Sequence, residues 1–185
     1  VIAHFGSVTS NMYLYVNGHF VGYSEDSKVA AEFDITPYIH KGDNLISFQT
    51  FRWCDGSYSE DQDFWRLSGV ARESYLYARD AGVHIDDLRI TPDLINDYKD
   101  GTLEVKVDVT GRPVIDFELL NANGITVAKS TADFKRHAYG TIRFSLRNVK
   151  KWTAETPYLF TLVATVKNGD KVTEVLTQKV GFRKI

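Results

Sequence analysis

Three carboxylic acids stand within four positions of the chain, at Glu60, Asp61 and Asp63. Hydrolysis of a glycosidic bond requires two carboxylates, a proton donor and a nucleophile or base, about 5–9.5 Å apart across the sugar. Neighbouring acids on one loop are more often solvated or paired with a cation, and Arg66 is near enough in sequence to be that cation. The cluster is therefore a weak candidate for a catalytic pair and a better one for contact with a ligand.

Four aromatic residues border the acidic cluster: Trp53, Tyr58, Phe64 and Trp65. A ring beside a carboxylate suits a sugar, because the ring covers the apolar C–H face while the acid accepts hydrogen bonds from the hydroxyls. The alternative is that the rings anchor the loop to the core. We expect this structural role for Trp53, whereas the pattern leaves both roles open for Trp65.

Other parts of the sequence carry weaker signals. Glu25 and Asp26 lie in a predicted loop, where we expect them to be solvated or paired with Lys28. The sequence contains no G-x-S-x-G, G-x-G-x-x-G or P-loop motif. The histidines are scattered, and with a single cysteine they offer no zinc-ligand spacing; they are His4, His19, His40, His84 and His137.

The elements that position the acidic cluster are predicted to be strands. Asn17-Gly18, flanked by aromatic and β-branched residues, predicts a tight hairpin, since both positions accept positive φ. A long strand is predicted from Leu45 to Trp53, followed by a polar and aromatic loop over residues 54–69. Long loops in compact domains are often functional. No sustained helical periodicity is present.

After a short linker at residues 79–82, a second block of strands begins at Val83. Polar and apolar residues alternate over residues 102–109, as the half-buried face of a sheet requires. Residues 158–166 are predicted to pair with residues 172–180 across a turn. Six or seven short strands in about 100 residues suggest an immunoglobulin-like sandwich. The fold class is therefore all-β, with two antiparallel β-sandwiches in tandem.

Composition excludes several classes of protein. The 185 residues are 43% hydrophobic and 25% charged, which is typical of a globular chain and not of a disordered one. A net charge of −2 argues against a nucleic-acid partner. No apolar run approaches the ~20 residues of a membrane helix. Cys54 is the single cysteine, so no internal disulfide forms and the compartment stays undetermined.

Several motifs in the first block resemble the sugar-binding domain of glycoside hydrolase family two. They are Val16-Asn17-Gly18, Val21-Gly22-Tyr23-Ser24 and the run from Ala31 to Thr36. The most specific part extends from Arg52 to Gly69 and is similar to the β-galactosidase version of that domain. It contains Asp55-Gly56-Ser57-Tyr58, Glu60-Asp61-Gln62-Asp63 and Trp65-Arg66-Leu67-Ser68-Gly69.

The second block resembles the immunoglobulin-like domain that precedes the catalytic barrel in the same family. The similar segments are residues 152–159 and Val180-Gly181-Phe182-Arg183. The resemblance implies that residues 1–80 are the C-terminal part of a jelly-roll domain and residues 83–185 the immunoglobulin-like domain. Because the first residues already read as a strand and Met12 is the only methionine, we expect the chain to be cut from a longer polypeptide.

The resemblance also implies a role for one residue. Asp63 matches the family position that reaches into the active site, where it binds galactose hydroxyls and helps to ligate sodium. Trp65 and Glu60 are possible supporting residues behind it. The catalytic glutamates and the magnesium ligands would lie in a barrel after this chain, so no catalytic residue is assigned within it. By resemblance, the longer enzyme is a homo-oligomer that hydrolyses β-galactosides.

Two alternatives remain open from the sequence. The chain could be part of a related β-glucuronidase or β-mannosidase, although recognition of a glucuronate would favour cationic residues over the acidic loop. It could instead be a stand-alone carbohydrate-binding module. The fold is the same in both alternatives. The substrate distinguishes the related enzymes from the main hypothesis, and the sequence that follows residue 185 distinguishes the stand-alone module.

Overall fold

The computed structural model describes residues 1–60, 63, 65 and 67–184. They divide into two compact units, Val1–Ala78 and Arg79 onward. Strands dominate both units. Among the described residues, helical geometry is limited to two short 3₁₀ turns at Thr36–Tyr38 and Asp55–Tyr58. The predicted all-β class is confirmed.

The first unit contains two antiparallel sheets. Its strands are β1 (Ile2–Thr9), β2 (Asn11–Val16), β3 (His19–Glu25), β4 (Val29–Asp34), β5 (Ile46–Gln49), β6 (Gly69–Val70) and β7 (Ser74–Tyr77). One sheet has the order β4-β1-β6, with β7 also paired to β1, and the other has the order β3-β2-β5. The loop after β5 and the loop between β3 and β4 lie outside these two ladders.

Alternation along β2 builds the core of the first unit. Met12, Leu14 and Val16 are fully buried, whereas Tyr13 and Tyr15 between them are half-buried. The two faces of a strand take successive residues, so one face of β2 meets the core and the other meets solvent. The buried β2 residues join a cluster with Ala3, Phe5, Val8, Ala31 and Ile35.

The predicted hairpin at Asn17-Gly18 is confirmed. Asn17 has φ 51° and Gly18 has φ 81°, the left-handed geometry that a two-residue hairpin requires. The side chain of Asn17 also makes contacts outside the hairpin, because its Nδ2 donates to the Tyr38 carbonyl and to Asn44 Oδ1, both at 2.9 Å. The hairpin turn is thereby tied to the turn that precedes β5.

The strand predicted from Leu45 to Trp53 is wrong in length. β5 ends at Gln49, because the chain beyond it leaves the ladder with β2 and bonds instead to the backbone and side chain of Ser10 and to the side chain of Asn11. Asn11 Oδ1 accepts a hydrogen bond from the Phe51 amide at 2.9 Å, and Ser10 Oγ donates to the Arg52 carbonyl at 2.7 Å. These bonds turn the chain out of the sheet just before the acidic loop.

The second unit is a seven-stranded sandwich. Its strands are β8 (His84–Ile95), β9 (Asp100–Thr110), β10 (Val114–Leu120), β11 (Thr126–Asp133), β12 (Tyr139–Leu146), β13 (Phe160–Asn168) and β14 (Lys171–Val180). They form sheets of order β12-β9-β8 and β11-β10-β13-β14. Seven antiparallel strands divided three against four give the predicted immunoglobulin-like architecture.

Alternating apolar side chains fill this second sandwich. Val105 on β9 and Phe117 on β10 are completely buried, as are neighbours at every second position. Burial of a side chain of this size contributes about 1.5–3 kcal/mol. Glu174 on β14 also connects the two sheets, because its carboxylate accepts from Arg79 Nε at 2.9 Å and from the Ile85 amide at 3.0 Å.

Candidate functional site

The loop that follows β5 begins with a compact turn. The Cys54 amide donates to Ser57 Oγ at 3.0 Å, and the Ser57 amide donates to the Cys54 carbonyl at 3.1 Å. These reciprocal bonds close the 3₁₀ turn at Asp55–Tyr58. The Glu60 amide then donates to the Gly56 carbonyl at 3.0 Å, which brings the start of the acidic cluster back over the turn.

Glu25, the last residue of β3, contacts this turn directly. Its Oε1 accepts from the Gly56 amide at 2.8 Å, and its Oε2 accepts from the Tyr23 hydroxyl at 2.5 Å. The hydrogen bonds from Tyr23, from the Cys54 side chain and from the Gly56 amide lower the pKa of Glu25 to about 2. The Glu25 carboxylate is therefore a fixed anion at neutral pH and not a proton donor.

Glu60 makes the reverse connection. Its Oε1 accepts a hydrogen bond from the Ser27 amide at 2.8 Å, so a side chain of the acidic loop caps the backbone of the β3–β4 loop. Glu60 is half-buried. Of the sequence-predicted site residues, it is the one that the structure places in a defined hydrogen bond with the protein.

A small pocket lies where these two loops meet. It is lined by Thr9, Ser10, Ser27, Lys28, Arg52, Trp53, Ser57, Glu60, Trp65 and Leu67. Its volume is about 40 Å³, enough for about three or four water molecules at ~10–15 Å³ each. Ligand sites for whole small molecules occupy roughly 300–1,000 Å³. This pocket can therefore contribute a wall to a sugar site, but it cannot enclose a monosaccharide.

Asp63 and Trp65 are both exposed, and Trp65 reaches 87% exposure. Trp65 lines the pocket together with Glu60. Asp63 makes no hydrogen bond or ion pair with another residue of the described chain. Asp61, Phe64 and Arg66, which the sequence analysis also named, lie outside the described residues.

The expected position of Trp53 is corrected. Trp53 was expected to anchor the loop to the core, but 55% of it is exposed, and the Arg52 guanidinium lies 5.2 Å from its ring centroid. Stacking of a cation on an exposed indole explains how the ring is kept on the surface. Tyr58 is even more open, at 92% exposure. The site is thus bordered by exposed aromatic rings.

The expectation that Glu25 is solvated or paired with Lys28 is also corrected. The Glu25 carboxylate binds Gly56 and Tyr23 instead, through contacts that span 31 residues in one case. The sequence carried one usable signal, since Gly56 follows an acid in a predicted turn and glycine permits close approach. A Cβ built on Gly56 would lie 2.6 Å from Glu25 Oε1. A side chain at position 56 would therefore displace the Glu25 carboxylate from this contact.

One group of potential metal ligands is found in the described part of the chain: Glu25, Cys54 and Asp55, whose ligand atoms lie within 4.8 Å of one another. Both Glu25 oxygens already accept hydrogen bonds from protein donors. Burial and the hydrogen bond with Glu25 raise the pKa of the Cys54 thiol, which keeps it protonated and makes it a poor ligand. The group is better described as a hydrogen-bonded support for the loop.

The helical turns among the described residues are too short to cross a membrane.

Comparison with known families gives two matches that follow one another along the chain. Residues 1–80 match the sugar binding domain of glycosyl hydrolases family 2, and residues 83–183 match a second domain of glycosyl hydrolases family 2.

Comparison with curated proteins gives several relatives that carry the name beta-galactosidase. The one from Priestia megaterium is 40% identical and is aligned with 99% of this chain, and the one from Halalkalibacterium halodurans is 41% identical over 97% of it. The chain spans 19% and 18% of the length of these two relatives.

Solved structures share the fold at lower identity. A putative beta-galactosidase from Bacteroides fragilis superposes with a TM-score of 0.84 at 20% identity, covering 99% of this chain and 30% of that one. A Bifidobacterium dentium beta-glucuronidase complexed with coumarin-3-O-glucuronide gives 0.82 at 23% identity, covering 98% and 36%.

Proposed function

Because this chain belongs to glycosyl hydrolase family 2, we propose that it is the non-catalytic N-terminal region of a retaining β-galactosidase. The observation that carries the proposal is the 40% identity to a protein named beta-galactosidase across 99% of the chain. In this proposal the chain supplies one wall of the galactose pocket, and the longer protein hydrolyses terminal β-D-galactosides.

The geometry supports a binding role and not a catalytic one. A retaining glycosidase needs a free acid and a free nucleophile about 5–5.5 Å apart. Glu60, which lines the pocket, and Glu25, which contacts the adjoining turn, are each bound to a backbone amide. A carboxylate that accepts a hydrogen bond from a backbone amide serves to hold the loop and is not free for catalysis. We therefore assign the glutamates that cleave the glycosidic bond to the part of the enzyme beyond this chain.

Asp63 is the proposed galactose-binding residue. An exposed carboxylate without a partner in the described chain can accept two hydrogen bonds from sugar hydroxyls, and charge-assisted bonds of this kind are stronger than neutral ones. Trp65, exposed on the same loop, offers an apolar face beside it. Glu60 holds the loop by accepting a hydrogen bond from the Ser27 amide.

Sodium is proposed as a ligand of the complete enzyme, with Asp63 contributing one oxygen. Hard cations take several oxygen ligands, and the described chain brings no second carboxylate into contact with Asp63. The described residues therefore supply one oxygen ligand for the sodium ion, and the remaining ligands would come from the rest of the enzyme. Magnesium is assigned wholly to the catalytic part of the enzyme.

The proposed partners are the catalytic barrel of the same polypeptide, a β-galactoside substrate and further copies of the enzyme. We propose no nucleic-acid or membrane partner, in line with the net charge of −2 and the absence of an apolar run in the sequence. These partners would complete the pocket, since a volume of about 40 Å³ leaves most of a galactose ring to be covered by other residues.

The test compares aryl β-galactoside, β-glucuronide and β-mannoside hydrolysis by the full-length protein that carries this chain. Preference for the galactoside by at least about 100-fold in kcat/KM is expected, because a site built to bind a particular hydroxyl rejects analogues strongly. Preference for the glucuronide would establish the alternative enzyme. Tight galactoside binding by the 185-residue chain alone would instead identify a stand-alone binding module.

A further inference from the structure

The two loops that border the pocket exchange carboxylate–amide hydrogen bonds in both directions. Glu25, at the end of β3, accepts from the Gly56 amide of the acidic loop at 2.8 Å. Glu60, in the acidic loop, accepts from the Ser27 amide of the β3–β4 loop at 2.8 Å. We call these four residues the clasp. Each loop thus provides one acceptor and one donor to the other.

The clasp is attached to the first sheet. The Lys28 amide donates to the Val8 carbonyl of β1 at 2.7 Å, so the loop that bears Ser27 is continuous with a buried strand. Val8 is 2% exposed. On the other side, the absence of a side chain at Gly56 permits the short contact with Glu25. The acidic loop is therefore held at both Gly56 and Glu60 by a segment that is itself bonded to β1.

We propose that Glu25 is a positioning residue for Asp63, acting through this clasp. Asp63 is three residues after Glu60, and it has no bond of its own to another described residue, so its location depends on the anchored residue that precedes it. The inference rests on the proposed function, because Asp63 is the galactose contact in that proposal. Glu25 itself contacts neither the sugar nor the reacting atoms.

The clasp can be tested separately from the reaction. Hydrogen exchange is measured in the full-length protein that carries this chain, by mass spectrometry of peptides covering residues 25–28 and 54–60. Glu25→Ala is expected to speed exchange of the Gly56 and Ser27 amides by about tenfold, since a lost hydrogen bond lowers the local opening energy. Glu25→Gln retains an acceptor oxygen and should give a smaller increase.

Glu73→Gln serves as the matched control, because Glu73 is an exposed acid in the same unit and lies outside the clasp. Its exchange rates at Gly56 and Ser27 should equal those of the unchanged protein. Faster exchange at Gly56 alone, with Ser27 unaffected by Glu25→Ala, would mean that the two bonds are independent. That result would overturn the clasp whatever the enzyme hydrolyses.

The link to Asp63 is tested by a double-mutant cycle on galactoside hydrolysis. Glu25→Ala should raise KM more than it lowers kcat, and Glu25→Gln should recover part of the loss. In an Asp63→Asn background, Glu25→Ala should have almost no further effect, because both changes remove the same contact. Additive effects would overturn the positioning role. If galactosides are not substrates at all, the proposed function fails, while the exchange experiment still decides the clasp.

Discussion

The hydroxyl of Tyr23 donates to Glu25 Oε2 at 2.5 Å, across two positions of the same strand. The bond favours the phenol in its neutral form and the carboxylate in its ionised form. Accordingly, the hydrogen bond with Glu25 raises the pKa of Tyr23 to about 12, and the pKa of Glu25 is lowered to about 2. The pair is thus locked in one protonation state across the neutral range.

This lock predicts how the acidic loop responds to acid. The folded-state pKa of Glu25 lies below its ordinary value of 4.5, so its contribution is complete above pH 4.5 and is lost as pH falls toward 2. We expect the difference in thermal stability between the unchanged protein and Glu25→Gln to be constant from pH 7 to about 5. Below that range the difference should shrink steadily.

The measurement is thermal unfolding of both proteins at intervals from pH 7 to pH 2. Comparison with the variant is essential, because other acids with lowered pKa, such as Asp34 and Asp116, titrate in the same range and are common to both proteins. A difference that grows on acidification would contradict an ionised, hydrogen-bonded Glu25.

Asp63→Asn is expected to weaken galactoside hydrolysis by the full-length protein. Replacing the carboxylate removes the charge from hydrogen bonds to hydroxyls, which is worth about 1.5–3 kcal/mol, or roughly 10- to 100-fold in kcat/KM. The sodium dependence of the rate should weaken as well. Steady-state kinetics with and without sodium provide the measurement.

Asp43→Asn is the matched control for this variant, since Asp43 is an exposed acid in the turn before β5. It undergoes the same chemical change away from the pocket and should leave the kinetics unaltered. Equal kinetics for Asp63→Asn and the unchanged protein would remove Asp63 from the binding site.

The 185-residue chain alone is expected to show no turnover of an aryl β-galactoside and only weak galactose binding. Its pocket of about 40 Å³ leaves a sugar ring mostly in water, and the carboxylates of Glu60 and Glu25 are bound to backbone amides. Little apolar area is then removed from solvent to offset the entropy lost on binding. Absorbance assays and calorimetric titration with millimolar galactose would check both expectations. Hydrolysis that survived replacement of Glu60, Asp61 and Asp63 by alanine would contradict the domain assignment.

Local patterns predicted the strands well, because the pattern itself is the physical cause. The alternation over residues 102–109 became β9, and Asn17-Gly18 became a hairpin whose φ values only these residue types adopt readily. The prediction failed for the end of β5. There, the side chain of Asn11, 40 residues away in sequence, accepts a hydrogen bond from the Phe51 amide. Nothing in the local sequence of residues 45–53 predicts that bond.

For the candidate site, local patterns indicated residues of one loop but not their partners in other elements. Glu60 and Trp65 were named because acids and rings cluster in one loop, and both line the pocket. Glu25 was expected to be solvated or paired with Lys28, because local patterns do not reach its partner Gly56, which lies 31 residues away. Trp53 was placed in the core by its apolar size, whereas a stacked Arg52 allows it to remain exposed.

Gly101→Ala is expected to destabilise the second unit by about 1–3 kcal/mol, the usual cost of overpacking a dense core. A Cβ at Gly101 would lie 2.8 Å from Phe182 Cδ1 and 2.9 Å from Val149 Cγ1. Both neighbours are buried, so neither ring nor methyl can move aside freely. Denaturant unfolding followed by circular dichroism measures the loss as a lower midpoint at an unchanged slope.

Gly82→Ala provides the matched control for the same methyl group. Its added Cβ would meet only Asp80 Oδ1, at 3.6 Å, which is an ordinary van der Waals distance. The stability of this variant should stay within about 0.5 kcal/mol of the unchanged protein, as for other substitutions without a steric conflict. If Gly101→Ala were equally neutral, the packing of Phe182 and Val149 against Gly101 would have to be looser than the structure places it. The close packing of β9 against the segment that follows β14 would then be wrong.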